Sequence, residues 1–305
     1  MASVTLAESA KLSQDMLVSG IIENVVTVDA FYDVLPFAEI EGNALAYNRE
    51  NVLGDVQNLG VGGTITAKAA ATYTQITTSL TTIIGDAEVN NLIQATRSGM
   101  NDQRAAQIAS KAKSVGRSYA NQLVNGDGTS NTITGLLSLA SAGQKTTPST
   151  DGDALSFTLL DEVMDLVKDK GGQVDYLMMH SRTIRSYYAL LRALGGANIG
   201  EVVTLPSGRQ VPGYRGTPIF RNDWLPTNQT QGATNTCTSV VAGTLDDGSM
   251  TTGISGLTAM GDAGIRVAYI GESETKDESI TRIKFYNGLA LFSDLGLAVL
   301  PGITN

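Results

Sequence analysis

The sequence predicts an α+β protein, and three stretches carry that expectation. Between Asn101 and Val124 the small and apolar residues are spaced for one long amphipathic helix. Ahead of it, Ala44–Ile84 has the Thr- and Gly-rich composition of an extended two-stranded ribbon. Behind it, Ser156–Phe220 alternates helix and strand patterns, and the chain from Ile265 onward is strand-like.

Taken in order, residues 1–20 are mixed and small, with Leu6, Leu12, Leu17 and Val18 as the large anchors. They read as an extended or briefly helical arm that orders against something else. Residues 21–35 read as a buried connector with a helical turn before Pro36, and Phe37–Glu41 as a short strand closed by Gly42-Asn43. Leu45–Glu50 and Tyr73–Leu80 are the strands of the ribbon, with a Gly-rich tip at Gly54–Thr66 between them. Its middle has few large apolar residues and cannot bury itself, and a lone two-stranded ribbon is marginal in water. Either it is disordered or a partner supports it.

Asp86, after Gly85, is placed as a helix N-cap, with Glu88 in the first turn where the dipole favours an acid. Gly99 and Asn101 mark a joint before the main helix. There Ala105, Ile108, Ala112, Val115, Tyr119 and Leu123 form one stripe, with Arg104, Lys111, Lys113, Arg117 and Asn121 off it. At 1.5 Å per residue the helix would reach roughly 36 Å. Asn125-Gly126 stops it, since both residues tolerate the left-handed conformation of a C-cap. A Gly/Asp turn follows, Asn125-Gly126-Asp127-Gly128-Thr129, and then Thr134-Gly135-Leu136-Leu137.

Ser138–Gly152 is a Ser-, Thr- and Gly-rich linker. Ser156 caps a helix with Phe157, Leu160, Val163, Met164 and Val167 apolar, and Gly171-Gly172 ends it. Val174–Met179 is a buried strand, and Ser181–Leu194 a helix closed by Gly195-Gly196. Strands follow at Glu201–Leu205, Arg209–Val211 and Thr217–Phe220, then a polar loop over Thr227–Thr238. The remaining strands are Ser239–Ala242, Ile265–Ile270, Ile280–Asn287 and Leu289–Leu300.

A long helix ending in Asn-Gly-Asp-Gly-Thr, with Gly-Leu-Leu shortly after and a long hairpin before, resembles the major capsid protein of tailed bacteriophages. That family has the Hong Kong 97-type fold, shared with encapsulin shells. The resemblance implies an N-terminal arm and connector at 1–43 and an E-loop hairpin at 44–84. A spine helix and turn at 85–137 would form the peripheral domain, with an axial α/β domain at 138–264. Residues 265–305 would return to the peripheral domain. It further implies a structural subunit, not an enzyme, that assembles with itself into hexamers and pentamers of an icosahedral virion shell in the host cytoplasm. Double-stranded DNA would be enclosed without sequence-specific binding. A scaffolding protein or removed propeptide, a portal and decoration proteins are the partners such shells bring in. Tyr47, Arg49, Glu50, Lys68 and Tyr73 of the hairpin become candidates for contact between subunits, and Gly126, Asp127 and Gly128 for the turn. Some shells of the family link a hairpin lysine to an asparagine of the neighbour, which would pair Lys68 with Asn287; a solvated Lys68 is the simpler reading.

Composition bounds the rivals. A chain of 305 residues holds one large or two modest domains with ample core, and 42% hydrophobic content is globular. No apolar run approaches a membrane span and no signal peptide opens the chain, so a soluble, non-secreted protein is expected, without membrane partners. One cysteine, Cys237, excludes an internal disulfide and a cysteine metal cluster; one histidine, His180, removes most zinc chemistry. A net charge of -9 argues against general nucleic-acid binding.

His180, at a strand-to-helix turn, reads as a structural imidazole, and Cys237, in a Thr/Asn loop, as unreactive. Asp127 opens like a calcium loop, but Ser138 stands where the bidentate glutamate belongs, so a turn is expected there. Gly60-Val61-Gly62-Gly63 opens no helix and is no dinucleotide fingerprint. No cofactor is implied. Glu272, Glu274, Asp277 and Glu278 read as a solvated loop, and the basic groups of the helix either as a solvated face or as contacts to acidic neighbours or DNA. The alternatives are an encapsulin-like compartment and, from a different class, a carboxylate-dependent hydrolase.

Overall fold

The structure is a computed structural model that describes residues 31–98, 102–146, 148–194 and 201–304. A 3-10 turn at Phe31–Asp33 leads past Pro36 into β1 (Phe37–Ile40), β2 (Ala44–Val52), β3 (Thr72–Ser79) and β4 (Thr81–Asn90). Helices α1 (Asn91–Arg97), α2 (Gln103–Asn125) and α3 (Leu136–Leu139) follow. The next part alternates: α4 (Phe157–Lys168), β5 (Tyr176–Met179), α5 (Ser181–Ala193), then β6 (Val202–Thr204), β7 (Gln210–Tyr214) and β8 (Thr217–Arg221). The strands β9 (Gln229–Gln231), β10 (Thr234–Gly243), β11 (Ile254–Ala259), β12 (Ile265–Glu272), β13 (Glu278–Leu291) and β14 (Leu297–Ile303) complete the order. The arm at 1–20, the joint at Gly99–Asn101 and the Gly195-Gly196 stop lie outside the described residues.

The strands make two larger sheets and one ribbon. In the first sheet β13 is the axis: its first ten residues pair with β4 on one side, and Ser279–Phe285 pair with β12 on the other. Its last four residues pair with β11, which pairs in parallel with β1. The second sheet runs β14-β10-β5-β8-β7-β6, with β9 folded back on β10.

Alternation along the strands of the second sheet divides its side chains between two cores. Leu177, Met179, Ile219, Val240, Ala242 and Leu300 pack with Leu160, Met164 and Tyr187 of α4 and α5. Tyr176, Met178, Phe220, Val241 and Val299 face the other way and meet Val115, Tyr119 and Leu123 of α2, with Ile283 and Phe285 of β13. The long helix thus joins the two sheets.

Asp102 caps α2, accepting from the amides of Arg104 (2.9 Å) and Ala105 (3.2 Å). Its 23 residues span about 35 Å. Only the C-terminal part of the expected stripe is core. Val115, Tyr119 and Leu123 are buried, Ile108 and Ala112 are half-buried, and Ala105 is exposed. The reason is placement: the helix start lies over the edge of the first sheet, where Arg104 sits 5.8 Å from the Tyr269 ring, and only its end lies where both sheets meet.

Several expectations need correction. Asp86 caps nothing; it lies in β4, opposite Arg282 of β13, and the guanidinium grips both carboxylate oxygens at 2.8 Å. That bond holds its pKa below the ordinary value. The signal was period two: Ile83, Gly85, Ala87 and Val89 alternate, and Asn90 is the real cap, of α1. The polar run Thr227–Thr238 is not all loop, because it forms β9 and the start of β10. Leu289–Leu300 is not one strand. β13 stops at Leu291, the chain crosses through a 3-10 turn at Asp294–Gly296, and β14 enters the second sheet beside β10. Within residues 265–305, β12 and β13 therefore lie in the first sheet and β14 in the second, and β11 belongs to the first sheet.

Candidate assembly site

β2 and β3 pair from Ala44↔Ser79 out to Val52↔Thr72, and past Glu50 the strands stand exposed among the described residues. Val52, Leu53, Val56, Val61 and Ile65 stand exposed around the tip, the kind of surface a soluble monomer rarely leaves uncovered. The tip is nevertheless shaped. The Gln57 side-chain oxygen accepts from the amides of Thr66 and Ala67 (2.7 Å each), and its nitrogen donates to the Thr64 carbonyl (3.1 Å). Sequence reading missed Gln57, whose only signal was a lone long amide in a Gly-rich loop.

The five hairpin residues expected at a subunit contact do not share a face. Glu50 and Tyr73 are register partners and exposed, and Lys68 is exposed. Tyr47 and Arg49 turn inward on their own chain. The Tyr47 hydroxyl donates to the Leu291 carbonyl (2.7 Å), and its ring meets Phe292 edge-on at 5.3 Å. Arg49 donates to the carbonyls of Leu291 (2.8 Å) and Phe292 (3.1 Å), with Asp294 at 3.4 Å. Alternation explains this, since Leu45, Tyr47 and Arg49 are the half-buried residues between exposed neighbours. Asn287 is fully buried in β13, not in a loop.

The turn after α2 is held by its own groups. Asp127 accepts from the Thr129 amide (2.9 Å) and hydroxyl (2.6 Å) and from the Thr132 hydroxyl (2.8 Å). These bonds, the Thr129 hydroxyl first, lower its pKa to about 2. Gly128, Ser130 and Asn131 take positive φ, whereas Gly126, expected to be left-handed, has φ −58°. Glycine is required at 126 for space: its amide donates to Gln122 and its carbonyl accepts from Gly135, both at 2.8 Å, and a Cβ would fall 2.0 Å from the Ile133 carbonyl.

The remaining polar groups are engaged structurally. His180 caps α5 through Nδ1, accepting from the Arg182 amide (3.1 Å), and burial lowers its pKa. Cys237 is buried in β10 rather than set in a loop. Glu272 and Asp277 both accept from the Asn91 amide group, and Glu278 is buried beside Lys276, so that cluster is only partly a solvated loop. Arg117 lies over the Trp224 ring at 5.2 Å, which takes it out of the expected free basic face. A cleft of about 470 Å³ beside the crossover contains Asp169, Asp175 and Asp247, but neither histidine nor cysteine lines it. Among the described residues no group of three His, Cys, Asp or Glu side chains could hold a metal.

A family model for the SU10 major capsid protein matches residues 41–202, from the ribbon through α5. No curated protein matches the sequence. Solved structures match over nearly the whole chain. The holo-SrpI encapsulin complex from Synechococcus elongatus PCC 7942 aligns at TM-score 0.72 and 17% identity, covering 99% of this chain and 96% of that one. The cyanophage A-1(L) capsid aligns at 0.68 and 14%, covering 95% and 96%. The capsid of Myoviridae phage XM1 aligns at 0.64 and 12%, covering 99% and 100%. At these identities the common property is the fold.

Proposed function

This chain belongs to the SU10 major capsid protein family and is a structural capsid subunit that assembles with copies of itself, and we propose that it builds hexamers and pentamers of an icosahedral shell around double-stranded DNA. The observation that supports this reading is the ribbon, a long excursion whose tip carries apolar residues left exposed among the described residues. In the assembled shell the ribbon lies on the adjacent subunit, and many repeated weak contacts close the particle. Glu50, Lys68 and Tyr73 are the polar and aromatic groups offered there; Tyr47 and Arg49 hold the root. Assembly takes place in the host cytoplasm, with a scaffolding protein, portal and decoration proteins as further partners. DNA is enclosed without base reading, in keeping with a net charge of -9.

Replacing Leu53–Ala71 with Asn-Gly tests the role of the ribbon. A two-residue turn closes the Val52↔Thr72 register and leaves the root intact. Soluble subunits or small oligomers with native circular dichroism are expected by sedimentation velocity, and closed shells of normal size would overturn the reading. The encapsulin match supports a second reading, a protein-filled compartment: nuclease-protected DNA in purified particles selects the first and a co-purifying enzyme the second.

A further inference from the structure

Among the described residues the ribbon touches the rest of its own chain at its root. Leu45 and Tyr47 join a small core of Ile40, Leu257, Ala290 and Phe292, capped by Leu80. Beyond them Arg49 is the last inward-facing residue of β2. The surface it grips is particular. Leu291 ends β13 in the first sheet, Asp294 opens the 3-10 turn, and Leu297 begins β14 in the second sheet. The crossover is itself pinned from both sides, by Phe292 N donating to Gly253 (3.0 Å) and Thr244 N donating to Gly296 (2.8 Å).

We propose that Tyr47 and Arg49 are positioning residues that clamp the ribbon root to the Leu291–Asp294 crossover, so that the direction of the ribbon is set by the joint between the two sheets. This rests on the assembly reading only for its consequence, not for the clamp. A guanidinium is suited to the task because its planar fork can donate to two carbonyls at once, whereas an ammonium is a point donor. The leverage is large. At 3.3 Å per residue the chain from Arg49 to Gly60 reaches about 36 Å, and each ~10° of rotation at the root moves the tip by about 6 Å. A displacement of that size would carry the exposed tip off its seat on a neighbour.

Spin labels at Asp55→Cys on the ribbon and Ser110→Cys on the exposed side of α2 read the angle directly in the full chain, kept below its assembly concentration. Native Cys237 is buried and stays unlabelled. With Arg49 present, a narrow distance distribution is expected. Arg49→Met should at least double its width, Arg49→Lys should restore it in part, and Asp294→Asn should leave it unchanged because the carbonyls supply the closer contacts. Tyr47→Phe removes one hydroxyl without emptying the small core, and should broaden the distribution less than Arg49→Met in a chain that folds normally. Unchanged widths in both Arg49→Met and Tyr47→Phe would overturn the clamp. Broadened ribbons that still closed normal shells would leave the clamp standing and count against the assembly role of the ribbon.

Discussion

The same substitution at two glycines of α2 and its cap should have opposite signs. At Gly126 an alanine Cβ would lie 2.0 Å from the Ile133 carbonyl oxygen and 2.6 Å from that of Gln122, both backbone atoms. Ordinary contact needs more than an ångström of additional room, so the turn must open. Opening it costs the Gly126-to-Gln122 and Gly135-to-Gly126 bonds, both 2.8 Å, at about 1 kcal/mol each, with about 1–3 kcal/mol of overpacking strain added. Gly126→Ala should therefore destabilise by about 3–5 kcal/mol, a fall in Tm of roughly 5–8 °C for a chain of this size. Gly116 lies within the helix, and a Cβ there meets nothing within 4 Å. Gly116→Ala should stabilise by about 0.5–1 kcal/mol, because the unfolded chain loses freedom that the helix never used. Urea unfolding of the unassembled full chain, followed by circular dichroism, reads both as midpoint shifts at constant slope. A Gly126→Ala midpoint equal to the parent, or two shifts of the same sign, would refute the steric reasoning.

Two further outcomes follow from the same helix and its turn. Leu123 is fully buried between the sheets, so Leu123→Ala should cost about 2–5 kcal/mol, whereas Ala112 is half-buried and Ala112→Asp, with its carboxylate reaching water, should cost under about 1 kcal/mol; equal thermal shifts would place the two on one buried stripe after all. Asp127 has its pKa depressed from 3.8 to about 2, so the stability it contributes is present above 3.8 and is lost as pH falls through about 2. Asp127→Asn should flatten that acid limb, and Thr129→Val should move the carboxyl titration seen by NMR back toward 3.8; an unmoved titration would remove Thr129 from its cause.

What was legible in the sequence was local. Ser156 caps α4 through the Leu159 amide, and the apolar residues Leu160, Val163, Met164 and Val167 that follow it are all buried, as their spacing predicted. Asn125-Gly126 ends α2 where the sequence placed the stop, whereas its N-cap, Asp102, went unread beside the expected start at Asn101. The failures were decided by residues far along the chain. Asp86 looked like a cap because aspartate is favoured at helix starts, but its partner is Arg282 in a strand yet to come. Tyr47 and Arg49 looked like free surface because the carbonyls they bind belong to Leu291 and Phe292. The membership of β14 was equally hidden, since alternation fixes which face a strand buries but not which sheet receives it. Gly126 was rightly noticed and wrongly explained: its need is room against Ile133, which no local pattern encodes.

The pairing of β4 with β13 also has a consequence in time. Val89 and Ser279 face each other across 190 positions of sequence. At 5–20 residues per second, a ribosome that has just released β4 needs about 10–40 s more to deliver its partner. During that interval α2 can wind, because its bonds are local, but the first sheet that covers its apolar side does not yet exist. The ribbon, whose root rests on residues made later still, has no fixed direction either. A nascent chain therefore has neither its first sheet nor a fixed ribbon until β13 and the crossover after it have been made.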